Sequence, residues 1–353
     1  MTAKKIIGLA PMDWITNCAY RIITKELFEK YNTDKTVEFW MWTEFMNVEW
    51  FMREPGRLIH HLIHTDFEDK TVAQIYWADH HDLVESAKFI DGEMPSFMGI
   101  ELNIGCPSPK VMSCWGGAGM MRDRPRTTAI IKDIASSTKL PFSIKTRAGL
   151  TVEDKNAQRE FILDVAQYCR HIIIHGRTYK QSHTWDVDRD YIYDIKRELG
   201  DKCIIIGNGG ITSYENMHER MQNLDGIMIG QAAIWRPWIF TNHAPTLDER
   251  YETIVRHAKM MIIIYDYYFS NREKGRALKM PTYEWLNEQI DIFDASKYHH
   301  EKTMIEYRKY LFNYISGLPG NRELKVQLAS TKDYTTTIRY VTDFFEKVRQ
   351  NLQ

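Results

Sequence analysis

The segment Asn103-Ile104-Gly105-Cys106-Pro107 sets a thiol in a tight Gly/Pro turn just past an apolar run, a place where packing alone rarely asks for cysteine. Such a thiol can act as a nucleophile, which needs a paired histidine, or as a general acid, which needs to stay neutral beside the reacting carbon. Three further polar clusters follow other apolar runs: Lys145-Thr146-Arg147, His175-Gly176-Arg177-Thr178 and Asn208-Gly209-Gly210. The Lys145 ammonium can hold a phosphate, neutralise negative charge on a reduced ring, or form a Schiff base. His175 with Arg177 two positions on suits contact with an anion or a base. Asn208-Gly209-Gly210 offers backbone amides with little steric cover ahead of a helix start near Ser213, a natural phosphate seat, and Gly230-Gln231 adds to it. Cys18, Cys114, Cys169 and Cys203 read as small buried hydrophobes.

The elements that must position these clusters are short. Apolar runs at 6–10, 38–42, 71–76, 99–104, 142–146, 171–175, 203–207 and 226–230 alternate with stretches of helical periodicity at 17–30, 81–90, 127–137, 152–168, 191–199 and 213–222. Eight strand-helix units predict an α/β fold of the TIM (β/α)8 barrel type, in which strand C-termini share the face that carries chemistry. The turn after the first run is Pro11-Met12-Asp13 rather than a glycine-rich phosphate loop, which disfavours an open doubly wound sheet. Beyond Pro237 the strand pattern stops, and periodic stretches at 249–269, 281–292, 300–315 and 335–352 predict an all-helical C-terminal domain. The division drawn from the sequence is 1–243 for the barrel and 244–353 for the helices.

Composition narrows the class. The 353 residues are 44% hydrophobic and 26% charged, enough for a packed core, which excludes a disordered chain. A formal charge of −1 neither indicates nor excludes nucleic acid, since charge can be segregated by face. The five cysteines form no Cys-x-x-Cys pair and predict reduced thiols rather than a disulfide frame. No metal is expected: His60-His61 with His64, His80-His81 and His299-His300 lack acidic or cysteine partners at metal spacing beside a catalytic strand end. The aromatic stretch from Phe39 to Phe51 reads as core or as a base-stacking surface. The N-terminus lacks a secretory pattern and no run reaches spanning length, so a cytoplasmic protein without membrane association is expected.

Taken together, Ala10-Pro11-Met12, Gln74, Asn103-Ile104-Gly105-Cys106-Pro107, Gly116-Gly117-Ala118-Gly119-Met120-Met121, Lys145-Thr146-Arg147-Ala148-Gly149, His175-Gly176-Arg177-Thr178 with Gln181, and Asn208-Gly209-Gly210-Ile211 resemble the dihydrouridine synthase family. Arg308-Lys309-Tyr310 and Gly317-Leu318-Pro319-Gly320 extend the likeness into the helical tail. The resemblance implies an FMN-dependent tRNA-dihydrouridine synthase that reduces a uridine with NADPH or NADH, acting as a monomer on tRNA or another structured RNA through residues 244–353. It implies hydride transfer to uracil C6 and a proton from Cys106 to C5, on a base extruded from its stack. Pro11, Met12, Asp13, Gln74, Lys145, His175, Asn208, Gly209, Gly210, Gly230 and Gln231 would hold FMN; Asn103, Arg147, Arg177 and His183 would meet the substrate. Gln231 stands where the family usually carries arginine, and Arg236 is expected to compensate. Two other readings compete: a flavin oxidoreductase acting on a free pyrimidine or small enone, for which the helical tail has no use, and a non-catalytic RNA-binding relative, against which Cys106, Lys145 and His175 argue.

Overall fold

A computed structural model describes residues 3–181 and 185–352. Eight parallel strands, Lys5–Leu9 (β1), Val37–Trp42 (β2), Thr71–Tyr76 (β3), Gly99–Asn103 (β4), Phe142–Arg147 (β5), His171–His175 (β6), Ile204–Asn208 (β7) and Gly226–Ile229 (β8), pair in sequence order. β1 also pairs β8, and Met41↔Thr71 joins β2 to β3, so the ring closes as a (β/α)8 barrel. A two-residue strand, Met46–Asn47, adds to the edge of β3, an element with no signal in the sequence.

These segments become strands because their β-branched and aromatic residues are buried on both faces, as a parallel sheet under helices requires. Ile172, Ile173 and Ile174 are all fully buried, and each such side chain contributes roughly 1.5–3 kcal/mol relative to exposure. One apolar cluster comprises Ile6, Ala10, Trp40, Trp42, Val72, Ile173, Ile206 and Met228. Gly8 makes room for it, since a Cβ there would stand 2.9 Å from the Trp42 ring. Strand side chains repeat every second residue. The positions two beyond Val72, Ile173 and Ile206, namely Gln74, His175 and Asn208, therefore share that cluster's face nearer the strand C-termini. Crossover helices start where a polar side chain caps them: Asp79 before His80–Glu93, Asp188 before Arg189–Leu199 and Ser213 before Tyr214–Met221.

The compact units divide the chain differently from a cut at 243/244. One comprises Met1–Thr16, Asp34–Leu62 and Glu68–Gly230; the other comprises Asn17–Thr33, Ile63–Phe67 and Gln231–Gln353. Specific bonds draw the early segments into the helical unit. Glu26 receives both Nε and Nη2 of Arg256 at 2.7 and 2.6 Å, Arg21 Nη2 donates to the Ile63 carbonyl at 2.6 Å, and the Tyr20 hydroxyl donates to the Ala233 carbonyl. At its centre His257 meets Tyr20, Tyr307, Tyr310 and Tyr314, with Nδ1 2.9 Å from the Tyr314 hydroxyl. The long helix Leu247–Asn271 opens on a reciprocal cap between Thr246 and Glu249. Asn321–Ser330 is a further helix that the sequence pattern missed. Among the described residues no helix is long and apolar enough to cross a membrane.

Candidate active site

Register brings the polar clusters abreast. Asn103 pairs with Lys145 across β4 and β5, while Arg147, His175 and Asn208 pair in one row across β5, β6 and β7. The turn beyond β4 is built by Asn103, whose Oδ1 accepts from the amides of Gly105 and Cys106 at 3.0 and 2.9 Å. Its Nδ2 donates to Gln74 Oε1 at 2.9 Å, and Gln74 Nε2 donates to Glu101 Oε1 at 2.5 Å. Arg147 Nε holds the other side of the turn by donating to the Gly105 carbonyl at 2.7 Å. The glycine-rich segment closes onto the same point: Ala118 N donates to the Cys106 carbonyl at 3.0 Å. Gly117, at φ +53°, would carry a Cβ only 2.9 Å from that of Cys106, so no other residue fits.

Charge follows from this arrangement. Burial pushes the Cys106 thiol up, against the pull of the Ser108 amide and the charges of Arg147 and Lys145. A neutral thiol at neutral pH is the result, as a proton donor requires and a nucleophile does not. Burial, helped by the charge of Arg147 and opposed by Glu101, brings the Lys145 ammonium down to about 8, although part of its side chain keeps solvent access. Among the described residues it has no hydrogen bond or ion pair. Arg147 falls to about 10, chiefly through burial, with Cys106 opposing and Arg177 assisting. Arg177 is lowered by burial and by Arg189. Its Nε donates to the Trp185 carbonyl at 2.5 Å, and its Nη1 lies 3.3 Å from His175 Nε2.

The turns after β1, β7 and β8 complete the rim. Met12 N donates to the Thr16 hydroxyl at 2.9 Å and Ala10 N to the Ile229 carbonyl at 2.9 Å, while a Cβ on Gly230 would stand 3.8 Å from Met12 Sδ. Pro11 and Met12 are partly buried and Asp13 is exposed. Asn208 Nδ2 donates to the Met228 carbonyl at 2.9 Å. Gly209, at φ +109°, passes so close to His175 that a Cβ would meet its ring at 2.6 Å; Gly210 follows at φ +68°. The structure thus gathers Gln74, Asn103, Cys106, Lys145, Arg147, His175, Arg177, Asn208 and Gly209. Gln231 is exposed at the start of the helix Gln231–Trp235, which belongs with Arg236 to the helical unit. His183 lies outside the described residues.

Some site features escape the sequence reading. Glu101 is a fully buried carboxylate beside Gln74, and His171 Nε2 lies 3.4 Å from its Oε2; period-2 alternation with Asn103 is the signal that would have found it. Trp14, Trp115 and Trp185 are 61%, 47% and 59% exposed on the loops after β1, β4 and β6, and the first two adopt φ of +62° and +60°, a region side chains avoid. Two expectations are corrected. Cys114 is exposed, because it caps the short helix Pro109–Ser113 at the surface; Cys18, Cys169 and Cys203 are buried. Also, His61 and His81 do have acidic companions: Asp13, Glu44 and His61, and likewise Asp79, His81 and Asp82, bring ligand-type atoms within 4.8 Å of one another. The fold joins residues too distant in sequence for spacing to reveal the first group.

A protein of Rickettsia conorii named "Probable tRNA-dihydrouridine synthase" is 24% identical, over 98% of this chain and 94% of its own length. The tRNA-dihydrouridine synthase B of Xanthomonas campestris is 28% identical over 67% of this chain and 68% of its own. A Helicobacter pylori protein named "Probable tRNA-dihydrouridine synthase" is 28% identical over 74% and 78%. The dihydrouridine synthase family model matches residues 8–351, and on that match, spanning nearly the whole chain, the protein belongs to this family of flavin-dependent oxidoreductases.

Proposed function

We propose that the protein reduces a uridine of tRNA to 5,6-dihydrouridine, using FMN and NADPH. The observation that carries this reading is Cys106, a neutral thiol at a strand tip whose turn is held by Asn103 and Arg147, with the charges of Arg147 and Lys145 beside it. The residues present fit an anionic flavin: the Lys145 ammonium has no hydrogen bond or ion pair among the described residues, and Gly209 leaves a Cβ-free approach against His175. Lys145, His175 and Gln74 would hold the ring's polar atoms. Pro11, Met12 and Asp13 would lie alongside it, and Asn208, Gly209, Gly210, Gly230 and Gln231 would lie toward its phosphate. When bound and reduced, FMN supplies a hydride to uracil C6.

The chain's own residues do the rest. Cys106 gives its proton to C5, and burial keeps that proton available at neutral pH. Asn103 fixes the thiol's backbone with Oδ1, and Arg147 and Arg177 offer guanidinium donors to the uracil carbonyls, with His183 as a further substrate contact. Exposed Trp14, Trp115 and Trp185 suit stacking on nucleobases. Residues 1–243 would carry the chemistry and 244–353 would dock the RNA. The test is mass spectrometry of nucleosides after incubating the protein with FMN, NADPH and unmodified tRNA transcripts; a uridine gaining two hydrogens is expected, and its absence would refute the reading.

Lys145 gives a separate check. With its ammonium at about 8 in the free protein, an arriving anion favours the charged form, so FMN binding at pH 8.5 should take up roughly 0.7 of a proton. Affinity should then fall as pH rises from about 8 to 10. Calorimetry in two buffers of different ionisation enthalpy measures the uptake, and Lys145→Met should abolish it. Uptake that persists in that variant would move the titrating group elsewhere.

A further inference from the structure

In the middle of β4 the barrel buries Glu101 completely, where a carboxylate loses all of its hydration. Little there replaces it. Oε2 makes no hydrogen bond among the described residues, and neither does either nitrogen of His171, which packs edge-on against Trp40 and Trp42 with Nε2 3.4 Å away. The one hydrogen bond the carboxylate receives among the described residues comes from Gln74 Nε2, at 2.5 Å, across the register that sets Gln74 beside Glu101. From Gln74 a chain runs to the strand tip: Asn103 Nδ2 donates to Gln74 Oε1 at 2.9 Å, and the Gly105 and Cys106 amides donate to Asn103 Oδ1. Glu101 and Asn103, two residues apart, share one face of β4, which lets a single side chain on β3 touch both.

The polarity of this chain is set at its ends. A carboxylate only accepts hydrogen bonds and a backbone N–H only donates them, whereas each side-chain amide between could face either way. With an acceptor in the core and two donors at the tip, one orientation of Gln74 and one of Asn103 satisfy every bond. Withdrawing the acceptor strands Gln74 Nε2 in the core, so Gln74 must move, and Asn103 loses the group that holds its Nδ2. The turn carrying the thiol then loosens and admits water. Burial is the chief cause of the raised Cys106 pKa, so exposure brings the thiol back toward its ordinary range and makes it more reactive.

We propose that Glu101 is a positioning residue for Cys106, acting through Gln74 and Asn103 to hold the turn that presents the thiol. The inference rests on the function proposed above for the thiol's role as proton donor. Two substitutions separate reach from charge: Glu101→Gln keeps an acceptor oxygen in place and discards the charge, while Glu101→Asp keeps the charge and draws the oxygen back by one methylene. Alkylation of Cys106 by iodoacetamide is followed in apoprotein against pH, by peptide mass spectrometry that scores the exposed Cys114 separately. At pH 8, Cys106 of Glu101→Asp should react about 10-fold faster than in wild type as its thiolate fraction rises, with Glu101→Gln within about 2-fold of wild type. Dihydrouridine formation from prebound, reduced flavin should fall by about 10-fold or more in Glu101→Asp at an unchanged KM for tRNA, and stay within about 3-fold in Glu101→Gln. A Glu101→Asp protein unmoved in either measurement, or a Glu101→Gln protein altered as much, would overturn the inference. Wild type that forms no dihydrouridine would overturn the functional reading instead, and alkylation, which needs neither flavin nor RNA, would still decide whether Glu101 holds the turn.

Discussion

Cys106→Ala protein will take up FMN and be reduced by NADPH, yet form dihydrouridine more slowly by roughly 10²–10⁴-fold, the range a positioned general acid contributes. The geometry separates the two half-reactions. Cys106 is held through its backbone, its N–H donating to Asn103 Oδ1 and its carbonyl accepting from Ala118 N, so removing its sulfur leaves the turn's hydrogen bonds in place. Cys106→Ser should be nearly as slow, because a hydroxyl is a far weaker acid than a thiol. The thiol's upward shift, caused chiefly by burial, fixes the sign of the pH dependence: the neutral donor persists below its raised pKa, so the rate with prebound flavin should hold through the range where an ordinary thiol ionises and fall only above it. Stopped-flow absorbance of the flavin, followed by nucleoside analysis, resolves reduction from product formation. Normal product yield from Cys106→Ala would show that the proton comes from another group.

Gly209→Val should be the most damaging change outside the thiol. At φ +109° a branched side chain carries backbone strain of about 1–3 kcal/mol. Its Cβ would in addition stand 2.6 Å from the His175 ring, and such overpacking costs about 1–3 kcal/mol more. His175 cannot simply yield, since it lies in the row with Arg147 and Asn208 and meets Arg177. FMN affinity is expected to drop roughly 100-fold or more, with a lower melting temperature. Gly200→Ala is the internal comparison, because its φ is +55° with nothing within 4 Å of a Cβ, leaving backbone strain alone. Equal effects of the two substitutions on FMN binding would show that the contact with His175 is irrelevant.

The barrel was legible because strands buried on both faces write themselves as unbroken apolar runs: 71–76 and 171–175 match the observed strands to the residue, and the others lie within about one residue. The strand-tip residues were legible for a related reason, since a polar or glycine-rich cluster ending such a run must emerge at one face. Glu101 was hidden because one carboxylate within Gly99–Asn103 looks like an interruption until its partner Gln74 is placed beside it. Likewise nothing in the composition of Cys18–Tyr31 reveals that a helix lying between β1 and β2 in the chain buries Tyr20 and Arg21 within the helical unit.

That last feature bears on how such a protein can be inherited and exchanged. A gene segment ending near residue 243 would encode a barrel still carrying Cys18–Tyr31, with Glu26 deprived of Arg256 and the Tyr20 ring deprived of Tyr310. The helical tail is therefore no detachable cassette. Recombination that exchanges it must also exchange the 14-residue helix Cys18–Tyr31 that packs with it, so two segments far apart in the gene are constrained to change together.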